Sequence, residues 1–329
     1  MRIRVLSRAD VQRALSMSQA IEIVAEAFVQ LSSGQAVVPV RTSLPVAAHN
    51  GVMLYMPAYL AGTDALGLKA VSVFPDNPRR GQPTIMALVV VNDAASGEPR
   101  AVIEGSYLTA LRTGAASGVA TRLMARVDAD AVAVFGAGVQ GRTQLEAVCT
   151  VRRIERAWVY DLDREAAERF AAEMGRRPSV PRDIRVAASP TEAVRQADIV
   201  CTATTSRTPV FAHRDLKPGV HINGIGSFTP EMQEVDPETV QHARIVVDSR
   251  EAAWAEAGDL IIPRDQGLIG AGDIYAELGE IAAGRKRGRW GDAEITFFKA
   301  VGNAVQDVAV ANHVLGNADA ENLGTVMEI

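Results

Sequence analysis

From residue 18 the chain reads SQAIEIVAEAFVQLSSG, with Ile21, Val24, Phe28 and Leu31 recurring at helical spacing. The spacing predicts one surface-packed helix over 18–32, opened by Ser18 as N-cap and stopped at Gly34. The period then shortens. AVVPVRTSLPV, GVMLYMPAY, ALGLKAVSVF, TIMALVVVND and EPRAVIEG are short β-rich pieces separated by Pro, Gly, Asn and Asp, and NDAASGEP reads as the hairpin loop between the last two. Residues 1–105 are therefore expected to form an α+β layer dominated by a meander. SYLTALRTGAASGVATRLMAR (106–126) reads as a long helix leading out of it, the expected crossover to a second domain.

From residue 130 apolar runs and helical stretches alternate. AVAVFGAG is a buried strand, VQGRTQLEAVCTV a helix, RAWVYD a strand and REAAERFAAEM a helix; DIRVAAS, ADIVCTAT and GVHINGIG are further strands. Such alternation is the pattern of a doubly wound parallel sheet. Near the C-terminus, EITFFKAVGNAVQDVAVANHVLGNA reads as an extended piece followed by an amphipathic helix with Val301, Val305, Val308 and His313 near one side, returning to the first domain. GRKRGRWGD (284–292) is expected to be a short basic surface loop.

Composition narrows the function. The chain has 329 residues, 48% hydrophobic and 22% charged, with a net charge of −5, so there is no basic footprint for nucleic acid or an anionic membrane. Small-molecule chemistry fits better. No stretch has the length and apolarity of a signal peptide or a membrane span, so a cytoplasmic location is expected. Cys149 and Cys201 lack C-x-x-C spacing, Cys201 lies in an apolar run, and the five histidines are scattered. No metal site is expected.

Two groups of residues carry chemistry. In VAVFGAGVQG, Gly136, Gly138 and Gly141 satisfy G-x-G-x-x-G directly after an apolar strand and at the mouth of a helix. The first glycine allows the tight turn, the second lets backbone approach a pyrophosphate, and the third lets helix and strand pack closely. Asp161 closes the next strand about 20 residues on, where an acid bonds the ribose 2′-hydroxyl. An acid there repels a 2′-phosphate, so NAD(H) is favoured, while Arg164 nearby keeps NADP(H) open. Thr202 and Thr204, in CTATT, end a later strand where the cofactor's ribose or nicotinamide would lie.

The second group comes from the first domain: Arg41 in VVPVRTSLP, Lys69 in LGLKAVSVF and Arg112 in SYLTALRTGAASG. Two arginines and a lysine converging on one site suit a small carboxylate, which arginine binds as a fixed fork. A lysine of lowered pKa can also give or take a proton. By sequence alone each has a bland alternative: a lysine that snorkels to solvent, an arginine in a surface ion pair.

The segments GLKAVSVFPDNPRRGQPTIMALVVVNDAASGEPRAVIEGSYLTALRTGAASGVATRLMAR, VAVFGAGVQGRTQLEAV, HINGIGSFTPEMQEVD, VVDSREAAWAEAGD and IYAELGEIAAGR with ITFFKAVGNAVQDVAVA together resemble the ornithine cyclodeaminase/mu-crystallin family, in family order, over about residues 15–315. The resemblance implies a homodimer. It also implies a substrate and dimerisation domain made of 1–117 plus 299–329, around a Rossmann domain over 118–298. It implies action on small α-amino or α-imino acids with a nicotinamide cofactor. By motif, Arg41 and Arg112 would hold the substrate carboxylate and Lys69, the catalytic residue, would lie beside the reacting nitrogen. Arg112, Thr113 and Ala115 would approach the cofactor together with Gly138, Val139 and Gln140.

One departure separates the family's activities. Its cyclodeaminases carry an aspartate in a GDxPGKxE-like segment after the IN strand; here GSFTPEMQE places Ser227 at that position, near the cofactor. Serine is no general base without an activating group. The segment looks more like the ketimine-reductase and mu-crystallin side. The expected activity is reduction of Δ1-pyrroline-2-carboxylate or a similar cyclic imine, with the reverse amino-acid dehydrogenase direction open. A redox-neutral ornithine cyclodeaminase and a dinucleotide-dependent binding protein remain as alternatives.

Overall fold

The computed structural model describes all 329 residues, which form two compact units: Met1–Arg112 with Asn303–Ile329, and Thr113–Gly302. The helix Gly105–Met124 runs through the first change-over.

The first unit is built on an eight-stranded sheet. Its strands are β1 (Arg2–Leu6), β2 (Ala36–Val37), β3 (Thr42–Val46), β4 (Gly51–Leu60), β5 (Ala65–Val73), β6 (Ile85–Asp93), β7 (Pro99–Glu104) and a C-terminal strand Thr325–Glu328. Strands β4 to β7 are consecutive antiparallel neighbours, the expected meander. Strand β1 adds in parallel to β7, and the C-terminal strand closes antiparallel to β1. In β5 the side chains alternate strictly: Ala65, Gly67, Lys69 and Val71 are buried, and Leu66, Leu68, Ala70 and Ser72 are half-buried. That is a sheet covered on one face.

The covered face packs against the helices Met17–Ser32 and Ala304–Glu321. The first of these begins one residue before the expected Ser18, with Ser16 as its N-cap. Ser16 accepts from the Gln19 amide while the Gln19 side chain accepts from the Ser16 amide, a reciprocal box that Ser18 has no partner to build. The C-terminal helix corrects the amphipathic expectation. Every residue from Ala304 to Ala311 is buried, because the sheet lies on one side and the helix Met17–Ser32 on another. On the opposite sheet face Leu44, Met86 and Leu88 remain exposed, the last at 54%.

The second unit holds β8 (Ala131–Phe135), β9 (Arg156–Tyr160), β10 (Ile184–Val186), β11 (Ile199–Thr202), β12 (His221–Gly224), β13 (Arg244–Val247), β14 (Ile274–Glu277) and β15 (Thr296–Lys299). All pairings are parallel, in the order β10-β9-β8-β11-β12-β15-β13-β14. Strands β8, β11, β12 and β15 are buried at every position, as a sheet covered on both faces requires. One apolar layer gathers Phe135, Trp158, Val200 and Phe297, the other Val134, Leu145, Phe170 and Cys201. The fold thus comprises a Rossmann-type parallel sheet and an α+β unit. The strand order reverses between β8 and β11, and the crevice beyond their C-terminal ends is where such sheets take ligands. No helix is long and apolar enough to cross a membrane.

Candidate active site

In the first unit Lys69 lies on the covered face of β5, opposite Met56 on β4 and Val89 on β6, and is 2% exposed. It does not snorkel. Its Nζ stands 2.7 Å from Oδ2 of Asp307, which sits in the first turn of the helix Ala304–Glu321 and is fully buried. A carboxylate there also gains from the helix N-terminus. The other oxygen, Oδ1, accepts from Arg112 Nε at 2.9 Å, and Arg112 Nη1 donates to Gln306 Oε1 at 2.6 Å. The Gln306 oxygen also accepts from the Asn303 amide at 3.1 Å. A salt bridge this deep recovers its desolvation cost only because the carboxylate and the guanidinium are both hydrogen-bonded.

The electrostatics follow from this crowding. Burial pushes the Lys69 ammonium down to about 8; the Asp307 carboxylate works against the fall, and the charges of Arg112 and Arg41 add to it. Arg41, half-buried in the connection between β2 and β3, therefore acts on the same ammonium. Lys69 and Arg112 share one carboxylate. A small anion would complete the balance.

In the second unit a cavity of about 550 Å³ opens at the C-terminal ends of β8, β9 and β11, lined by Gly136, Gly138, Asp161 and Thr204 among others. Gly136 has φ +99°, and a Cβ there would strike the Ala203 carbonyl; a Cβ on Gly141 would strike the Gly136 carbonyl. Gly138 faces open space and stands as N-cap of the helix Val139–Val151 with no side chain capping it. The first amides of that helix are left for an anion. Asp161 accepts from the Ala137 amide at 2.7 Å and from the Asp163 amide at 2.9 Å, which fixes the glycine loop to the end of β9. Arg164 is turned along its own helix to Glu168, at 3.0 Å. The cradle fits a dinucleotide, with the Asp161 carboxylate at its rim.

The remaining expected cofactor residues divide. Thr204 lines the cavity, Val139 is exposed, and Gln140 keeps its Oε1 enclosed without a hydrogen-bond partner. Thr113 is buried and its carbonyl accepts from Gln144 Nε2 at 3.4 Å. Thr202 and Ser227 are fully enclosed. The Thr202 hydroxyl donates to Glu234, and the Ser227 hydroxyl donates to the Met232 carbonyl at 2.7 Å and accepts from the Asp259 amide. Their hydroxyls are taken inside the protein, so their contribution to any ligand comes through backbone and packing.

Two acids escaped the sequence reading. Asp307, in GNAVQDVAVA, and Glu234, in MQEVD, are both fully buried. The available signal for Asp307 was the one that exposed Lys69, a lone charge in an apolar run.

The whole chain has known counterparts. Residues 1–322 match the ornithine cyclodeaminase/mu-crystallin family. The chain belongs to that family. It is 42% identical to a Δ1-pyrroline-2-carboxylate reductase of Bacillus cereus, over 98% of this chain and 99% of the relative. Among solved structures it resembles the Thermococcus litoralis Δ1-pyrroline-2-carboxylate reductase in complex with NADH and L-proline, with TM-score 0.95 and 45% identity over 98% of this chain and 99% of the other. An archaeal alanine dehydrogenase dimer with bound NAD follows at TM-score 0.93 and 37% identity, both chains fully covered.

Proposed function

We propose that the chain is an NADH-dependent reductase of small cyclic α-imino acids of the Δ1-pyrroline-2-carboxylate or ketimine type, able to run in reverse as an amino-acid dehydrogenase. The observation that carries the reading is the pairing of Lys69 and Arg112 on Asp307, with the charge of Arg41 reaching the same ammonium and the Lys69 ammonium brought to about 8. The family's reductases and dehydrogenases supply the reaction class.

In this mechanism Arg41 and Arg112 bind the substrate carboxylate and fix the ring, which lowers the barrier chiefly by orientation. A nicotinamide cofactor, when bound, would supply the hydride that the C=N carbon takes. Lys69 gives a proton to the ring nitrogen and, in the reverse direction, takes one from the amine; a group titrating near neutrality serves both. Asp307 holds Lys69 and Arg112 in register from a single carboxylate. Gly136, Gly138, Gly141 and Asp161 would hold the cofactor, Arg112, Thr113, Val139, Gln140 and Thr204 would contact it, and Thr202 and Ser227 would support the wall.

Ornithine cyclisation is disfavoured by Ser227. Its hydroxyl is sealed against Met232 and Asp259, and no carboxylate takes the place of the family's cyclisation aspartate. The assay is NADH oxidation by purified protein with Δ1-pyrroline-2-carboxylate, expected to yield proline at the rate NADH disappears. Ammonia and proline from ornithine without net NADH change would overturn the reading. Asp161→Ala is expected to narrow the kcat/KM advantage of NADH over NADPH; a wild-type preference for NADPH would remove Asp161 from that role.

The homodimer belongs to the same proposal. The apolar face bearing Leu44, Met86 and Leu88, with a concavity of about 420 Å³ beside Met53, is one a second copy would cover. Leu88→Asp is expected to shift the dimer to monomer in light scattering.

A further inference from the structure

Glu234 is fully buried in the connection between β12 and β13 and gathers an unusual set of donors. Its Oε1 accepts from the Thr204 amide at 2.6 Å and the Thr204 hydroxyl at 2.7 Å. Its Oε2 accepts from the Thr202 hydroxyl at 2.9 Å, the Gly226 amide at 2.6 Å and the Ser227 amide at 3.1 Å. A carboxylate has about four lone-pair sites, so its capacity is fully used. The donors come from two places, the segment leaving β11 and the segment leaving β12.

A second layer holds Glu234 itself. Asp259, in the first turn of the helix Gly258–Asp265, accepts from the Glu234 and Val235 amides at 2.7 and 3.0 Å. Lys299, at the end of β15, stands 3.1 Å from Asp259 Oδ2 and donates to the Gly224 carbonyl at 3.1 Å. Gly226 is pressed so closely that a Cβ would strike the Thr204 backbone and the Glu234 carboxylate. The segments leaving β11 and β12 therefore meet at one buried acid, and the end of β15 backs it through Asp259.

Only one of the groups it holds faces the cavity. Thr204 donates its hydroxyl hydrogen to Glu234 and accepts from the Ser206 amide at 3.2 Å, so it is left as an acceptor toward the space it lines. The glycine loop and Asp161, at the ends of β8 and β9, receive no hydrogen bond from Glu234; Asp161 ties to the Ala137 and Asp163 amides instead. A dinucleotide runs from that side across the reversal of strand order toward the later strands. A mononucleotide needs only the first side.

We propose that Glu234 is a positioning residue for the nicotinamide half of the cofactor, acting through Thr204 and the Gly226–Ser227 backbone. The role rests on the dinucleotide reading of the cavity. Glu234→Gln keeps the length but turns an amide NH2 toward backbone N–H groups, leaving at least one buried donor unpaired.

The experiment compares binding of two ligands to the full-length protein, NADH by fluorescence and AMP by calorimetry, well below the melting temperature of each variant. Glu234→Gln is expected to raise the Kd of NADH roughly tenfold and to leave the Kd of AMP nearly unchanged. An unchanged NADH Kd overturns the proposal, and so does an equal loss for both ligands, which would make Glu234 a general support of the unit. Should Glu234→Gln fail to fold, Glu234→Asp keeps the charge, shortens the reach and is judged by the same comparison. Wild-type protein that binds neither ligand would overturn the dinucleotide reading itself, whereas wild-type binding with an unmoved ratio in the variant removes only Glu234.

Discussion

Two lysines lie inside this protein, Lys69 at 2% and Lys299 at 0% exposure, and each stands against a buried aspartate. Their surroundings have opposite signs. Lys69 shares Asp307 with Arg112 and feels Arg41 as well, so cations outnumber the acid. Lys299 answers Asp259 directly, and its charge also eases the burial of Glu234 and Asp248, so acids outnumber the cation. Burial alone marks neither as functional. The charge balance separates them: Lys69 shares its carboxylate with Arg112, an arrangement that suits the proposed anionic substrate, while around Lys299 the excess acid is spent on backbone amides of the loops that end the parallel sheet.

The comparison is broken most directly by removing each ammonium. Lys69→Met is expected to cut kcat for imine reduction by about 10²–10⁴-fold with the Kd of NADH unchanged; a variant keeping most of its kcat ends the catalytic role. Lys299→Met leaves buried acids unpaired and is expected to cost about 3–5 kcal/mol in urea unfolding. Lys69→Met should cost less stability, because Arg112 still pairs with Asp307. Equal unfolding losses for the two variants would mean that the two lysines support the fold alike.

Finer tests act on the charge balance around Lys69. With its pKa at about 8, kcat/KM for imine reduction should fall as pH rises through that value, since the proton donor is lost. Amine oxidation should rise over the same range, since it needs the free base. Parallel pH profiles in the two directions would count against Lys69 as the shared acid and base. The smallest effect is a displacement. Asp307 holds the ammonium up, so Asp307→Asn should move the decline in reduction to lower pH, alongside any loss of activity.

Much of this was legible along the chain, and what was missed has a common cause. The meander, the parallel sheet and the glycine loop follow from hydrophobic period and turn residues, which are local. Lys69 stood out because its own neighbours are apolar. Asp307 has equally apolar neighbours, yet its meaning lies in β5 and the helix Gly105–Met124, which the fold brings to it from far earlier in the chain. The same holds for Glu234, whose partners come from the ends of two other strands. The helix start at Ser16 was missed at shorter range, because the Gln19 side chain chose it over Ser18. Period reports which face is buried; it does not report who meets there.

The single carboxylate of Asp307 has one oxygen on Lys69, the proposed acid, and the other on Arg112, the proposed carboxylate binder. Under that proposal substrate grip and proton transfer are geared together. A redesign that shifts the start of the helix Ala304–Glu321 to admit a bulkier imino acid would detune the proton donor with the same movement, so new substrates are better sought by altering pocket walls that do not hang from this helix.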